Sequence, residues 1–196
     1  SVLTDENWFG SSLETLEIVH EATVLPLLHK EFIITPYQLL EGRLRGASAA
    51  LILAYYFQQA ELAKIIAEAK TIGLEAVVEC SLETELPRAL AVNPEILMIN
   101  NRAIAAIPEE PVKTYDLGSV DVISSWWERN PEVRSWKKQP GKLFISASCV
   151  NSKEDIQSLL KIPCDAALIG NAAMVAPDRA AFISSLSKTA KESLSS

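Results

Sequence analysis

Short apolar runs rich in Val, Ile and Leu recur along the chain at residues 26–30 (with 32–34 behind), 49–54, 76–79, 96–100, 143–146 and 166–170. Runs this continuous suit strands covered on both faces, as in a parallel sheet. Between them the spacing changes to that of helices. Leu62, Ile65, Ile66 and Ala69 fall on one helical face within 61–72, and Gly73 supplies a stop. Thr35-Pro36 reads as an N-cap with proline in the first turn, predicting a helix through Arg45 that ends at Gly46. Ser81 and Ser152 stand where caps would start helices after two later strands. A last helix is expected from about Asp178 toward the Ser-rich tail.

Between equivalent strand ends, Lys30 to Ala54 is 24 residues, Ala54 to Glu79 is 25, Glu79 to Asn100 is 21, and Ser146 to Gly170 is 24. A near-constant unit of strand, loop and helix predicts right-handed crossovers within one parallel sheet. Only the step from Asn100 to Ser146 is long, at 46. It holds a Pro-containing loop at 107–112, the apolar stretch 120–123, and Trp126, Trp127 and Trp136. We read it as a loop plus a longer or extra helix, an insertion at about 103–141, and not as a further strand. The repetition favours an α/β fold of the (βα)8 barrel type over an open doubly wound sheet, and no GxGxxG argues for a dinucleotide fold. Counting residues 2–3 as the end of a strand gives seven strands where eight are required. The expectation is one barrel domain over 1–196 whose first strand would lie upstream of Ser1.

Composition narrows the function. The 196 residues are 48% hydrophobic and 22% charged, with 7 Gly and 10 Pro, which is too apolar for a disordered chain. Lys and Arg total 18 against 25 Asp and Glu, a formal charge of -7. That balance speaks against a general electrostatic grip on nucleic acid or anionic lipid, while leaving room for a local phosphate pocket. Cys80, Cys149 and Cys164 are widely spaced and only His20 and His29 are present, so neither a disulfide framework nor a zinc site is expected. A reducing compartment fits, with bacterial cytoplasm and plastid stroma both open. No apolar run reaches the roughly 18 to 20 residues that span a bilayer.

In a βα barrel the informative residues sit at the C-terminal ends of strands. Those ends carry Thr4-Asp5, His29-Lys30, Glu79, Asn100-Asn101-Arg102, Ser146-Ala147-Ser148-Cys149 and Gly170-Asn171. A lysine, a carboxylate and an amide converging on one mouth would serve general acid–base work on a carbonyl substrate. A single charged residue there equally marks where a buried strand reaches solvent; the coincidence of Lys30, Glu79 and Asn100 favours function. Ser148 and Gly170 end the last two strands, where barrels commonly hold a phosphate on backbone N–H groups.

At these residues the sequence resembles indole-3-glycerol phosphate synthases. The resemblance runs through Val2-Leu3-Thr4-Asp5-Glu6, Phe9-Gly10-Ser11, Pro26-Leu27-Leu28-His29-Lys30-Glu31-Phe32-Ile33, Pro36-Tyr37-Gln38, Val77-Val78-Glu79, Glu85-Leu86, Ile99-Asn100-Asn101-Arg102 and Ile169-Gly170-Asn171-Ala172-Ala173-Met174. It implies a (βα)8 barrel of tryptophan biosynthesis that closes the indole ring of a carboxyphenylamino-deoxyribulose phosphate, with loss of carbon dioxide and water. Lys30 matches the lysine acting as general acid on the ribulose carbonyl, and Glu79 a glutamate of the acid–base steps. Asn100 matches a substrate-positioning asparagine, with Arg102 in the same motif; Ser148 and Gly170 match the phosphate site, with Asn171 beside it. No metal or organic cofactor is implied.

The chain also departs from that pattern. Ser146-Ala147-Ser148-Cys149 stands where the family usually reads Ser-Glu-Ser-Gly, so Ala147 removes a carboxylate and Cys149 replaces a glycine that lets backbone approach phosphate. Asn171 stands where Glu or Ser is usual. A first strand bearing a further essential lysine and glutamate would precede Ser1, and without it the sheet would keep an open edge. These departures motivate a second class of reading: a catalytically degenerate barrel serving as a binding or structural subunit, with a protein partner covering the open edge or the Trp126, Trp127 and Trp136 segment. Packing of those indoles onto the barrel is the plainer expectation.

Overall fold

The computed structural model describes residues 1–102 and 119–194. The loop expected at 107–112 lies outside them. The described chain alternates strand and helix. In order it runs β1 (Val2–Leu3), α1 (Glu6–Phe9), α2 (Leu13–Ala22), β2 (Leu28–Lys30), α3 (Pro36–Leu44), β3 (Ala49–Leu53), α4 (Gln59–Thr71), β4 (Glu75–Cys80), α5 (Leu86–Ala91) and β5 (Ile96–Asn100). Then follow α6 (Asp121–Arg129), α7 (Pro131–Lys137), β6 (Leu143–Ala147), α8 (Lys153–Leu159), β7 (Ala166–Leu168), α9 (Asn171–Val175) and α10 (Arg179–Leu194). All seven expected strands are present. The stretch at 120–123 opens α6 and is not a strand. The contacts group into two compact units, Ser1–Cys80 with Thr84–Leu97 and Ser81–Glu83 with Met98–Ser196.

In the first unit β1, β2, β3 and β4 pair in chain order and all in parallel. Side chains alternate between faces along a strand, so the register sorts them. Val2, His29, Ala50, Ala76, Ile52 and Val78 take one face; Leu3, Lys30, Ala49, Leu51, Val77, Leu53 and Glu79 take the other. The first face meets the helices, because the His29 ring lies against Gly42 of α3. Leu39 of α3, Leu62, Ile65 and Ala69 of α4 and Leu16 of α2 are buried in that layer. Leu51 and Val77 are also buried on the opposite face, which is why β3 and β4 read as continuous apolar runs rather than alternating ones.

Helix boundaries follow their caps. Thr35 and Gln38 form a capping box around the first turn of α3, with Pro36 in that turn, and Gly46 turns left-handed at φ +91°. α4 starts two residues earlier than its apolar face alone suggests, behind a Gln58–Glu61 capping box. Ser81 is not the N-cap of α5: a 3₁₀ turn, Glu83–Glu85, follows β4, and α5 begins only at Leu86, behind Glu85. Arg88 in the first turn of α5 donates from Nε to the Ala54 carbonyl at 3.0 Å and faces the buried Glu85 carboxylate at the end of the 3₁₀ turn.

In the second unit β6 and β7 pair in parallel, Ile145 with Ala166 through Ala147 with Leu168. Ser152 caps α8 as expected, accepting from the Asp155 amide. The three indoles have an intramolecular role. Trp126 and Trp136 are buried, and Trp127 and Trp136 flank the fully buried Phe144 of β6 at centroid distances of 6.0 and 6.3 Å. Lys137 ties the start of β6 down, pairing with Asp165 at 2.7 Å while donating to the Lys142 carbonyl. Among the described residues no helix is long and apolar enough to cross a membrane.

Candidate functional site

Each unit presents its own set of strand-end residues. In the first, Lys30 ends β2 half-buried, and Glu79 sits one residue before the end of β4, 1% exposed. The register puts both on the face turned away from the helices. An ammonium and a carboxylate on one sheet face, near strand C-termini, supply a proton donor and a proton acceptor to whatever occupies that side. Cys80 points the other way, is fully buried, and its thiol is pushed well up by burial, with Glu85 and Glu79 adding to it. It is a neutral packing residue.

Past the strand ends lies a run of aromatic rings that motif reading passed over as residue matches only. Phe9, closing α1, stacks on Phe32 at 5.5 Å with the planes 18° apart. Phe32 meets the edge of Tyr56 at 6.4 Å, and Tyr56 meets Tyr55 at 5.5 Å. Burial, with Tyr55 beside it, raises the Tyr56 phenol above its ordinary range, so the ring is neutral. The rings come from the loops after β1, β2 and β3. Together they form an apolar wall at the same strand ends that carry Lys30, suited to an aryl group. The sequence signal was an aromatic a few residues past each of three successive strands.

Behind the sheet, on the helix side, a second arrangement went unnoticed in the sequence. Thr4 Oγ1 donates to Glu31 Oε2 at 2.5 Å and lies 2.9 Å from His29 Nε2. Because the Thr4 hydroxyl hydrogen is committed to Glu31, His29 Nε2 carries the proton and donates to Thr4 Oγ1. Nδ1 of His29 has no hydrogen-bond partner among the described residues and faces Gly42. Burial lowers the His29 pKa, against the smaller upward pull of Glu31. Asp5, one of the strand-end carboxylates, accepts from the Trp8 amide at 2.7 Å and caps α1.

In the second unit Asn100 Oδ1 accepts from the Arg102 amide at 3.1 Å, closing a tight turn after β5. Asn101, which the motif had left without a role, holds that unit together. Its Nδ2 donates to Ser146 Oγ at 2.8 Å, the Ala147 carbonyl at 2.9 Å and the Ser148 carbonyl at 3.1 Å, and its Oδ1 accepts from the Ile123 amide. A buried amide satisfied on both ends fixes β6 and the start of α6 relative to the Asn-Asn-Arg turn.

Ser148 and Cys149 are consecutive left-handed residues, φ +67° and +64°, at the end of β6. L side chains disfavour this conformation, and the usual occupant is glycine. Surrounding bonds hold it: Ser148 donates from its amide to the Leu168 carbonyl, and Asn151 Nδ2 donates to the Cys149 carbonyl. Burial pushes the Cys149 thiol up, opposed by the hydrogen bond and charge of Arg102. Ala147 takes part through its backbone only, accepting from Asn101.

Gly170 precedes α9, with Asn171 as the helix's first residue. Among the described residues a Cβ on Gly170 would meet nothing within 4 Å, and its φ of -114° is not left-handed. The expected site residues thus fall into two sets. Lys30 and Glu79 share a sheet face in the first unit. In the second, Arg102 donates its amide to Asn100, Ser148 donates its amide to the backbone of β7, and Gly170 with Asn171 follows that same strand.

The family model for indole-3-glycerol phosphate synthase matches residues 1–186. Among curated relatives, the synthase of Staphylococcus haemolyticus is 33% identical over 186 residues, 95% of this chain and 65% of the relative. That of Lachnospira eligens is 34% identical over 184 residues, covering 94% and 64%. That of Microcystis aeruginosa is 34% identical over 187 residues, covering 95% and 59%. The chain thus spans less than two thirds of these relatives. Among solved structures, 3-hexulose-6-phosphate synthase from Salmonella typhimurium aligns with a TM-score of 0.66 at 14% identity, covering 93% of this chain and 81% of that one. A structure titled "Native KDPGal structure" aligns at 0.60 and 13%, covering 96% and 79%. At these identities the structural likeness speaks for the fold alone.

Proposed function

The chain belongs to the indole-3-glycerol phosphate synthase family, and from that premise we propose that it is part of a synthase that closes the indole ring of a carboxyphenylamino-deoxyribulose phosphate. The observation that carries this reading is the shared face of Lys30 and Glu79 on the first unit's sheet, with the Phe9, Phe32 and Tyr56 rings at the adjoining strand ends. A substrate that joins an aryl amine to a ketose needs an acid at the ketose carbonyl and an apolar wall for the ring. Retention of Lys30 and Glu79 supports this over a degenerate barrel.

In this reading the Lys30 ammonium donates a proton to the ribulose carbonyl oxygen as the ring carbon bearing the carboxylate attacks the carbonyl carbon. One carbon–carbon bond forms and the carbonyl becomes a hydroxyl. The carboxylate leaves as carbon dioxide, its bonding pair restoring the ring. The hydroxyl then leaves as water, protonated by a general acid, while a proton is lost to complete the indole. Glu79 serves these last proton transfers. Asn100 orients the sugar chain, with Arg102 beside it in the motif; Ser148 and Gly170 with Asn171 hold the phosphate. The open approach to Gly170 among the described residues supports that last assignment.

We extend the proposal to the architecture: the seven strands are those of a (βα)8 barrel without its first strand, forming one domain, with 103–141 as an enlarged connection. The decisive assay is steady-state formation of indole-3-glycerol phosphate by the full-length protein, followed by product fluorescence. Turnover that disappears in Lys30→Ala, with the unfolding midpoint unchanged, is the expected result. A folded wild-type protein without turnover would overturn the reading in favour of the degenerate barrel.

A further inference from the structure

The backbone that carries Lys30 and Phe32 is held from behind by side chains of its neighbours. Within β2, His29 points toward the helices and Lys30 away, because the His29 ring lies against Gly42 of α3. Glu31, past the strand end, bonds to the same Thr4 hydroxyl as His29. Its Oε2 accepts from Thr4 Oγ1 of the neighbouring strand end, and its Oε1 accepts from the Phe32 amide at 2.7 Å. The Phe32 carbonyl is taken as well, by Gln38 Nε2 at 3.0 Å, while Gln38 Oε1 accepts from the Ile34 and Thr35 amides at 2.9 and 3.1 Å. Both polar backbone groups of Phe32 are therefore bound by side chains rather than by a neighbouring strand.

Strand β2 stops at Lys30, so past that residue the backbone has no ladder to order it. Thr4, Glu31 and Gln38 replace the ladder. We propose that these three residues form a positioning clamp that fixes the Lys30–Phe32 segment from the helix side, holding the Lys30 ammonium and the Phe32 ring in register with one another for the ring-closure reaction. The proposal rests on the synthase reading above. None of the three touches the reacting atoms; they act through Lys30 and Phe32. His29 completes the clamp by donating to Thr4, which leaves the Thr4 hydroxyl hydrogen directed at Glu31.

The clamp lines a polar cavity of about 380 Å³ bounded by the α1 turn and α3. Loss of the Glu31 side chain therefore admits water and does not leave a dry void. The test uses the full-length protein with Thr4→Val, Thr4→Ser and Glu31→Ala. Steady-state turnover is measured together with site-resolved hydrogen exchange at the Phe32 amide. Thr4→Val should lower kcat about tenfold with KM little changed, as expected for a displaced acid, and speed Phe32 exchange by a similar factor while β3 amides stay protected. Thr4→Ser keeps the hydroxyl and should restore both values. Glu31→Ala should reproduce the Thr4→Val phenotype even if the valine variant folds poorly. Unchanged Phe32 exchange in Glu31→Ala would overturn the clamp. Loosened exchange with unchanged kcat in an active wild type would overturn its role in catalysis. A wild type without turnover whose Phe32 amide still loosens in Glu31→Ala would refute the synthase reading while supporting the clamp as an ordering device.

Discussion

Gly42 offers a direct test of the packing behind the sheet. It sits inside α3, where alanine is favoured over glycine by about 1 kcal/mol on helix propensity alone. The structure predicts the opposite sign. A Cβ at Gly42 would lie 2.3 Å from His29 Nδ1 and 3.0 Å from Cγ, so the ring would have to move by about an ångström to reach ordinary contact. The ring has little room, being 1% exposed and bound through Nε2 to Thr4 at 2.9 Å. Overpacking of this kind costs about 1–3 kcal/mol, and stranding the buried Nε2–H adds about 1–3. Against the propensity gain, Gly42→Ala should lose about 1–5 kcal/mol. Urea unfolding would show a lower midpoint at unchanged slope. In a double-mutant cycle with His29→Ala, removal of the ring should recover most of the loss, giving a coupling of at least about 1 kcal/mol. An alanine variant as stable as wild type, or a cycle that is merely additive, would refute the close approach.

Further outcomes are expected at His29 and at Gly170. Because burial lowers the His29 pKa below its unfolded value of 6.5, the folded state resists the proton that the unfolded chain accepts. The stability this neutral ring allows is complete above pH 6.5 and falls as pH drops toward the folded pKa, at no more than about 1.4 kcal/mol per pH unit; midpoints measured across that window should fall, and His29→Gln should flatten the slope. Gly170→Ala should leave the thermal midpoint unchanged, since its Cβ meets nothing within 4 Å among the described residues. If Gly170 serves phosphate, the same variant should raise KM about tenfold in the turnover assay; an unchanged KM would remove it from that site.

Strands β3 and β5 were legible because they are covered on both faces and so read as continuous apolar runs; Leu51-Ile52-Leu53 and Leu97-Met98-Ile99 are buried throughout. Helices whose caps are side chains, at Thr35 and Ser152, were legible for the same local reason. Ser81 misled because a cap residue shows only that a turn can begin, and the 3₁₀ turn after it is set by tertiary contacts of Glu85 and Arg88. The Thr4, Glu31 and Gln38 bonds could not be read from the chain, since they depend on strand register and on which face each residue takes. Asn101 was hidden similarly: its partners are up to 47 residues away, and its neighbours Asn100 and Arg102 carried the motif. Lys30 and Glu79 were picked out by position at strand ends, and the register adds that they share a face.

The paired left-handed residues Ser148 and Cys149 bear on how the second unit assembles. At about 1–2 kcal/mol each, the conformation would occupy only a few per cent of an isolated peptide, or less. Besides the local bond from Asn151 to the Cys149 carbonyl, the groups that stabilise it are the Leu168 carbonyl of β7 and the Asn101 amide, 20 residues after and 47 before Ser148 in the chain. This turn cannot nucleate folding. It snaps into shape only once β7 and the segment after β5 have docked, so mutations within it should quicken unfolding while leaving the refolding rate nearly untouched.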